Sequence, residues 1–246
     1  MDSKRLTETG ITLPVRINRY LALKKYASRR EADRLIEQGQ VLVNGKPAVL
    51  GMSIKEGDKV SLRSSFKKIE ENRVYIAFNK PVGIVSHSPE GDQKSISDIF
   101  RYKTRVFPIG RLDKDSHGLI ILTNDGRITG KLLDPGSERE KEYVVEVDKP
   151  ITGALLNKMA KGVVIDGYRT KPAVIRKISP KKIGITLTEG KKRQIRRMCL
   201  ALGYTVIDLE RVRIMSIKLG EVKEGGFRII SGQELESFLK NLGFEK

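Results

Sequence analysis

A polar and charged stretch, SSFKKIEEN at residues 64–72, separates two segments whose hydrophobic patterns differ. Before it, apolar residues follow first a helical spacing and then a short alternation; after it, apolar runs typical of strands outnumber helical patterns. A chain of 246 residues is long enough for one sizeable domain plus a small one. We therefore predict a mobile N-terminus over residues 1–13, a small domain over 14–63, a linker over 64–72 and a large domain over 73–246.

The small domain is predicted to combine two helices with short strands. Ile17 and Leu21 share one face of a first helix. Ser28-x-x-Glu31 is a capping box, which marks the beginning of a second helix. Asn44-Gly45 follows a short alternating run and is typical of a tight hairpin turn. The unit is therefore a compact pair of helices with a small sheet.

The large domain is predicted to be α+β, with a mixed, largely antiparallel sheet. Short strand patterns are more frequent than helical ones, and turn signals separate them. We predict strands over residues 74–78, 118–123, 141–147, 173–178 and 183–187, and helices over 126–133, 152–161, 191–202 and the segment after Ser231.

The charge of the chain points to a polyanionic partner. Lys and Arg number 48 against 30 Asp and Glu, which gives a formal net charge of +18. Nucleic acid binds such a surplus by releasing its own counterions. No apolar run approaches the roughly 20 residues of a membrane helix, and the N-terminus lacks an apolar signal core. A single cysteine, Cys199, and two histidines leave little material for disulfides or a metal centre, so we expect a cytoplasmic protein without metal.

Basic residues concentrate in the two predicted helices of the small domain. Arg30 and Arg34 lie four residues apart, opposite the apolar stripe, and can address one phosphate backbone together. The alternative is an ordinary solvated helix face. This region, RINRYLALKKYASRREADRLIEQGQVLVNGKPA with the later IKEGDKV, resembles the S4 RNA-binding domain. The candidate RNA-binding residues here are Arg16, Arg19, Lys24, Lys25, Arg29, Arg30 and Arg34.

A second basic cluster, GKKRQIRRM at residues 190–198, opens a predicted helix of the large domain. Basic side chains around a helix start suit phosphate capture, although one arginine could instead reach into a pocket as a charge partner. The candidate RNA-binding residues are Lys191, Lys192, Arg193 and Arg197, with Lys80 from the first strand region.

The segment GRLDKDSHGLIILTNDG, residues 110–126, places an aspartate beside a rigid strand. The apolar run after Gly118 predicts a buried strand, so Arg111 and Asp113 lie on a loop anchored to the core. A nearby guanidinium favours an ionised carboxylate. On residue types alone, Asp-Lys-Asp-Ser is also a common turn sequence.

This segment resembles the signature of the RsuA-type ribosomal RNA pseudouridine synthases. Three further motifs follow the same order as in that family: NKPVGIVS at 79–86, KEYVVEV at 141–147 and GKKRQIRRM at 190–198. The resemblance implies that Asp113 is the catalytic carboxylate, that Tyr143 packs on the target base, and that Arg196 pairs with Asp113. It also implies that Leu187 covers the other face of the uracil, with Lys80 shaping the pocket wall and Arg111 supporting the site.

The implied activity is a cofactor-free isomerisation of a flipped-out uridine in ribosomal RNA. The segments KEYVVEVDKPIT and RRMCLALGYTVIDLERVRIM look more like the large-subunit branch typified by RluF and RluB, which favours 23S rRNA as substrate. We also expect the enzyme to be a monomer. A 16S rRNA or tRNA substrate, a ribosome-binding factor without activity, and a hydrolytic N-glycosidase remain as alternatives. The carboxylate could attack C1′, attack the base, or remove the ribose 2′ proton.

Overall fold

The computed structural model describes residues 11–63 and 72–244, so most of the predicted N-terminal stretch and of the linker lies outside the described residues. The chain forms two compact units. The first takes in the chain up to Arg73 together with Asp125–Thr129, and the second comprises Val74–Asn124 and Gly130–Lys246.

The first unit contains the two predicted helices and short antiparallel strands. The capping box is formed: the Glu31 amide donates to the Ser28 hydroxyl at 3.3 Å, and the Ser28 amide donates to the Glu31 carboxylate at 3.2 Å. Apolar side chains from both helices and from the strand after Gly39 form one core. The elements are β1 (Val15–Arg16), α1 (Ile17–Leu23), α2 (Arg29–Glu37), β2 (Val41–Val43), β3 (Lys46–Pro47), β4 (Ser53–Ile54) and β5 (Val60–Leu62). Strand β2 lies between β3 and β5, and β1 pairs with β4.

The second unit is built around a nine-stranded sheet. Its strands are β6 (Tyr75–Lys80), β7 (Phe107–Ile109), β8 (His117–Thr123), β9 (Lys141–Val147), β12 (Val174–Ser179), β13 (Lys182–Leu187), β14 (Val206–Ile214), β15 (Ile217–Lys218) and β16 (Phe227–Ile229). The short strands β10 (Val164–Ile165) and β11 (Tyr168–Arg169) form a separate hairpin. The helices are α3 (Ile96–Ile99), α4 (Arg127–Leu133), whose first residues group with the first unit, α5 (Gly153–Ala160), α6 (Gln194–Ala201) and α7 (Gly232–Asn241).

The main path of the sheet runs β12-β13-β9-β14-β8-β6-β16. All neighbouring pairs are antiparallel except β14 and β8, which are parallel. The prediction of an α+β fold with a mixed, largely antiparallel sheet is therefore confirmed. Strand β14 was not predicted, because acidic and basic residues interrupt its apolar positions.

One transverse row of residues crosses five neighbouring strands at the start of β8. Tyr143 of β9 is paired with Ile185 of β13 on one side and with Arg211 of β14 on the other. Arg211 is paired in turn with Gly118 of β8, and Gly118 with Lys80 of β6. Directly paired residues have their Cβ positions within about 5.5 Å of each other. The row therefore brings Tyr143, Arg211 and Lys80 to the end of β8 that receives the loop carrying Asp113.

Gly118 is required where β8 and β14 meet. Its φ is +103°, and a Cβ added there would lie 2.4 Å from the backbone oxygen of Arg211. A side chain at position 118 would push the two parallel strands apart.

The main core of the second unit lies between the sheet and two helices. Leu155 and Met159 of α5 and Met198 of α6 pack against apolar residues of β9, β13 and β14. Burial raises the pKa of the Cys199 thiol in this core to about 12, so this cysteine remains protonated at neutral pH. Within residues 11–63 and 72–244, no helix is long and apolar enough to cross a membrane.

Candidate active site

Asp113 lies on the loop that joins β7 to β8, and it is half-buried. The loop is fixed on both sides of this residue. The Leu112 amide donates to the hydroxyl of Ser86 at 2.9 Å, and this buried hydroxyl donates to the Leu112 carbonyl at 3.0 Å. The Ser116 amide donates to the Asp113 carbonyl at 3.1 Å, which closes a tight turn. The aspartate is thus held by backbone contacts that leave its side chain available.

A cavity of about 220 Å³ opens at this loop. One wall is the loop itself, and the other is the segment that follows β6. The lining residues are Val85, Ser86, His87, Ser88, Glu90, Gln93, Arg111, Leu112, Asp113 and Lys114. Two sequence-predicted residues, Asp113 and Arg111, therefore line the same cavity, and Ser86 is a wall residue that the sequence motif NKPVGIVS contained without revealing its role.

Arg196 bonds to the Asp113 loop, but its carboxylate partner is Asp115. Its Nη2 donates to the Asp115 carbonyl at 2.6 Å and to the Ser116 hydroxyl at 3.2 Å, while its Nε lies 3.3 Å from the Asp115 carboxylate. The expected pairing with Asp113 is therefore corrected. The two aspartates are only two residues apart, and the sequence contains nothing that selects one of them as the arginine's partner.

Arg193 also binds Asp115, through two parallel hydrogen bonds. Its Nη1 and Nη2 donate to the two carboxylate oxygens at 2.9 and 2.7 Å. The residue stands at the start of α6 with a left-handed φ of 51°. The hydrogen bonds from Arg193, with a smaller contribution from the charge of Arg196, lower the pKa of the Asp115 carboxyl below its usual range. The start of α6 is thereby attached to the loop that carries Asp113.

Arg211 is a buried arginine that the sequence analysis missed. Only 3% of the surface of this residue is exposed to solvent. Nε donates to the Leu119 carbonyl at 2.7 Å and Nη1 donates to the Arg111 carbonyl at 3.2 Å. The signal in the sequence is the motif LERVR, which places Arg211 between apolar residues typical of a strand, although arginine is rarely buried in a sheet.

Lys80 is fully buried, which argues against the expected direct contact with RNA phosphate. Its ammonium donates to the carbonyls of Pro81 and Ile84, both at 2.7 Å, and so shapes the turn after β6. This agrees with a role in the pocket wall. Burial, with a smaller contribution from Arg211, lowers the pKa of Lys80 to about 8, and the nearby Asp113 opposes that shift.

Tyr143 and Leu187 lie on neighbouring strands, with different degrees of burial. Tyr143 is half-buried at the edge of the main core, beside Arg211 in the transverse row. Leu187 is buried within that core and pairs with Lys141 of β9. Packing in this core is sufficient to explain a leucine at position 187.

The other candidate RNA-binding residues divide into two groups. Those of the first unit are exposed, except for Lys24, which is half-buried with its ammonium 5.9 Å from the ring centroid of Tyr20. In the second unit, Lys191 and Lys192 are exposed, and the Lys191 ammonium lies 4.8 Å from the ring centroid of Tyr168. Arg197 forms an ion pair with Asp166.

The site presents a half-buried carboxylate, Asp113, near a buried cation, Lys80. A carboxylate at this position is suited to acid–base or nucleophilic chemistry, and the buried Lys80 ammonium interacts electrostatically with Asp113. Among the described residues, no three histidine, cysteine or acidic side chains converge in a way that could hold a metal ion.

Comparison with known proteins agrees with this arrangement. The family of RNA pseudouridylate synthases matches residues 74–201, and the S4 domain matches residues 15–60. The dual-specificity RNA pseudouridine synthase RluF of Escherichia coli K12 is 47% identical over 228 residues, covering 92% of this chain and 79% of that protein. The ribosomal large subunit pseudouridine synthase B of Bacillus subtilis is 35% identical, covering 90% and 94%. A crystal structure of a pseudouridylate synthase superposes with a TM-score of 0.66 at 28% identity, covering 93% and 99%.

The fold, the carboxylate loop and these matches define an RNA-modifying isomerase with an N-terminal S4 domain. The chain belongs to the RNA pseudouridylate synthase family, and its first unit carries the RNA-binding S4 domain. The family resemblance inferred from the four ordered motifs is confirmed.

Proposed function

We propose that this enzyme converts one uridine of ribosomal RNA to pseudouridine and that Asp113 is its catalytic residue. The observation that carries the proposal is the placement of Asp113: a half-buried carboxylate on a fixed loop, lining a cavity and interacting electrostatically with the buried Lys80 ammonium. A carboxylate in this position remains close to an incoming ribose or base without a long, mobile side chain.

The proposed reaction is an isomerisation, so it consumes no second substrate and requires no cofactor. The bond from uracil N1 to ribose C1′ breaks, the base turns, and C5 bonds to C1′; the C5 proton leaves to solvent and N1 gains a proton. Asp113 would attack C1′, attack the base, or remove the ribose 2′ proton. Tyr143 would pack on the base, and Arg196 would hold the loop of Asp113 through Asp115 and Ser116.

We infer that large-subunit rRNA is the substrate. One relative supports this directly: the 35% identical protein is named for the ribosomal large subunit, whereas RluF, 47% identical, is named as a dual-specificity RNA pseudouridine synthase. The S4 domain would hold the RNA through the exposed basic residues of α1 and α2. We propose that the enzyme acts as a monomer in the cytoplasm.

The test of the catalytic assignment is Asp113→Asn. Conversion of rRNA labelled with tritium at uridine C5 releases the label to water, so the released tritium reports bond formation at C5. We expect the Asn variant to lose more than about 1,000-fold in rate while binding rRNA within about threefold of the native protein. Asp92→Asn, which alters an exposed carboxylate, is the matched control and should retain full activity.

Two outcomes would contradict the proposal. Tritium release by Asp113→Asn at a rate near that of the control would remove Asp113 from the chemistry. Release of free uracil, detected by chromatography of the products, would identify a glycosidase.

The substrate is tested by mapping pseudouridines in the rRNA and tRNA of cells with and without the gene. A site lost from 16S rRNA or tRNA alone would overturn the large-subunit assignment.

A further inference from the structure

Arg211 connects the two ends of the loop that carries Asp113. Nη1 donates to the carbonyl of Arg111 at 3.2 Å, two residues before Asp113, and Nε donates to the carbonyl of Leu119 at 2.7 Å, near the start of β8. One planar group thus spans both sides of the turn. Because a guanidinium fixes the relative directions of its donors, these two bonds define the position of the loop on the sheet.

The backbone of Arg211 also fixes this loop, at the end that enters β8. Arg211 and Gly118 are register partners in the parallel pair of β14 and β8, and the close approach at Gly118 leaves no space for a side chain there. The loop is therefore attached to β14 through both the main chain and the side chain of a single residue.

The third nitrogen of the guanidinium has no partner of its own. Nη2 is buried, yet no acceptor among the described residues lies within hydrogen-bonding reach. A buried charged group that is not fully paired destabilises a fold, and such groups are uncommon outside functional sites. A leucine or methionine would fill this position in the sheet with less cost, so the arginine is not explained by packing.

The neighbours of Arg211 are the other residues of the site. Tyr143 is its partner in β9, and Lys80 lies on the far side of Gly118 in the same row. Lys80 interacts electrostatically with both Arg211 and Asp113. Arg196 holds a different part of the loop, at Asp115 and Ser116. The two arginines therefore attach at separate points of the loop: Arg211 at Arg111 and Leu119, and Arg196 between them.

We propose that Arg211 is a positioning residue for the isomerisation: its guanidinium closes the loop from Arg111 to Leu119 and so sets Asp113 against the bound uridine. The proposal rests on the function proposed above. The residue acts on the reaction step through the loop, whereas the S4 domain would supply most of the RNA affinity, so its loss lowers kcat and leaves KM nearly unchanged. Displacement of a reacting group by about 1 Å is enough to slow a reaction about 100-fold.

The experiment compares Arg211→Lys and Arg211→Ala with Arg213→Ala. Arg213 is the matched control because it lies on the same strand, two residues further on, and its bonds go to Glu140 and Glu142, away from the Asp113 loop. We expect kcat for tritium release to fall about 100-fold in Arg211→Lys with KM within about threefold, and to stay within about twofold in Arg213→Ala. Free guanidinium at low concentration should restore part of the activity of Arg211→Ala.

Hydrogen exchange tests the same proposal without requiring activity. The Leu112 amide donates to the Ser86 hydroxyl and the Ser116 amide to the Asp113 carbonyl, so both should exchange faster in Arg211→Lys and at the native rate in Arg213→Ala. Native exchange at both amides, together with native kcat in Arg211→Lys, would overturn the proposal. If the native protein itself forms no pseudouridine, the proposed function fails, whereas the exchange rates still decide whether Arg211 holds the loop.

Discussion

The two basic clusters have similar composition but opposite surroundings. In the first unit, Arg29, Arg30 and Arg34 are exposed, and no hydrogen bond or ion pair with a described residue holds their guanidinium groups. In the second unit, Arg193 and Arg196 are bonded to Asp115 and to the loop of Asp113. A run of arginines therefore does not define a role by itself. Unpaired exposed arginines suit attraction of a phosphate backbone, whereas bonded ones build the framework of a site.

The largest expected effect is on stability, through the titration of the buried Lys80. Because the pKa of Lys80 is lowered to about 8 in the folded protein, the unfolded chain binds more protons between about pH 8 and its usual value of about 10.5. The free energy of unfolding should therefore rise with pH across this window, by up to about 3 kcal/mol. Lys80→Met removes the titrating group and should lack this rise. Urea unfolding from pH 7 to pH 10.5 measures it, and identical slopes for both proteins would contradict the burial of a charged lysine.

Loss of a bonded arginine should impair the reaction rather than RNA binding. Arg196→Ala removes the donor to the Asp115 carbonyl and to the Ser116 hydroxyl, which frees the turn beside Asp113. We expect kcat to fall about 100-fold, with the Kd for rRNA within about threefold. Single-turnover tritium release and filter binding measure the two quantities. A weakened Kd with unchanged kcat would place Arg196 with the exposed arginines instead.

Loss of exposed arginines should have the reverse effect. Arg30→Ala combined with Arg34→Ala removes two charges that face solvent on α2. We expect the Kd for rRNA to rise about tenfold at moderate salt and the slope of log K against log salt to decrease by roughly 2, while kcat at saturating RNA is unchanged. Glu37→Gln, on the same helix, controls for a change of surface charge. An unchanged salt slope would exclude phosphate contacts at these two positions.

The smallest effect concerns the acid limb of stability. The pKa of Asp115 is lowered in the folded state, chiefly by Arg193, so its contribution is present above the unfolded value of about 3.9 and is lost as the pH falls below it. The carboxylate is 44% exposed, so solvent screening limits the contribution to less than about 1 kcal/mol. Asp115→Asn should abolish this part of the pH dependence between pH 5 and pH 2, as measured by thermal unfolding.

Local patterns were sufficient for most of the fold. The capping box at Ser28 formed as expected, and the predicted strand over 141–147 has the bounds of β9. Strand β14 was missed because its charged residues have tertiary partners: Arg213 binds Glu142, and two of the three guanidinium nitrogens of Arg211 donate to backbone carbonyls. A sequence pattern treats such residues as solvent-facing, whereas tertiary partners allow them into a sheet.

The site was predicted in part, for the same reason. The motif GRLD located the loop of Asp113, but the partner of Arg196 depends on which aspartate faces α6, and that is a property of the turn geometry. The burial of Lys80 follows from the pairing of β6 with β8, which joins residues about forty positions apart in the chain. Long-range pairing of this kind is not encoded in any local spacing.

The parallel pairing of β8 with β14 has a consequence for the order in which the protein can become active during synthesis. Residues 124–205 must be made and folded back before β14 can insert between β8 and β9. A growing chain that has already emerged through Tyr143 still lacks the strand that joins this tyrosine to the aspartate loop. The S4 domain is complete long before that point, so a partly synthesised protein can hold RNA well before it can modify it.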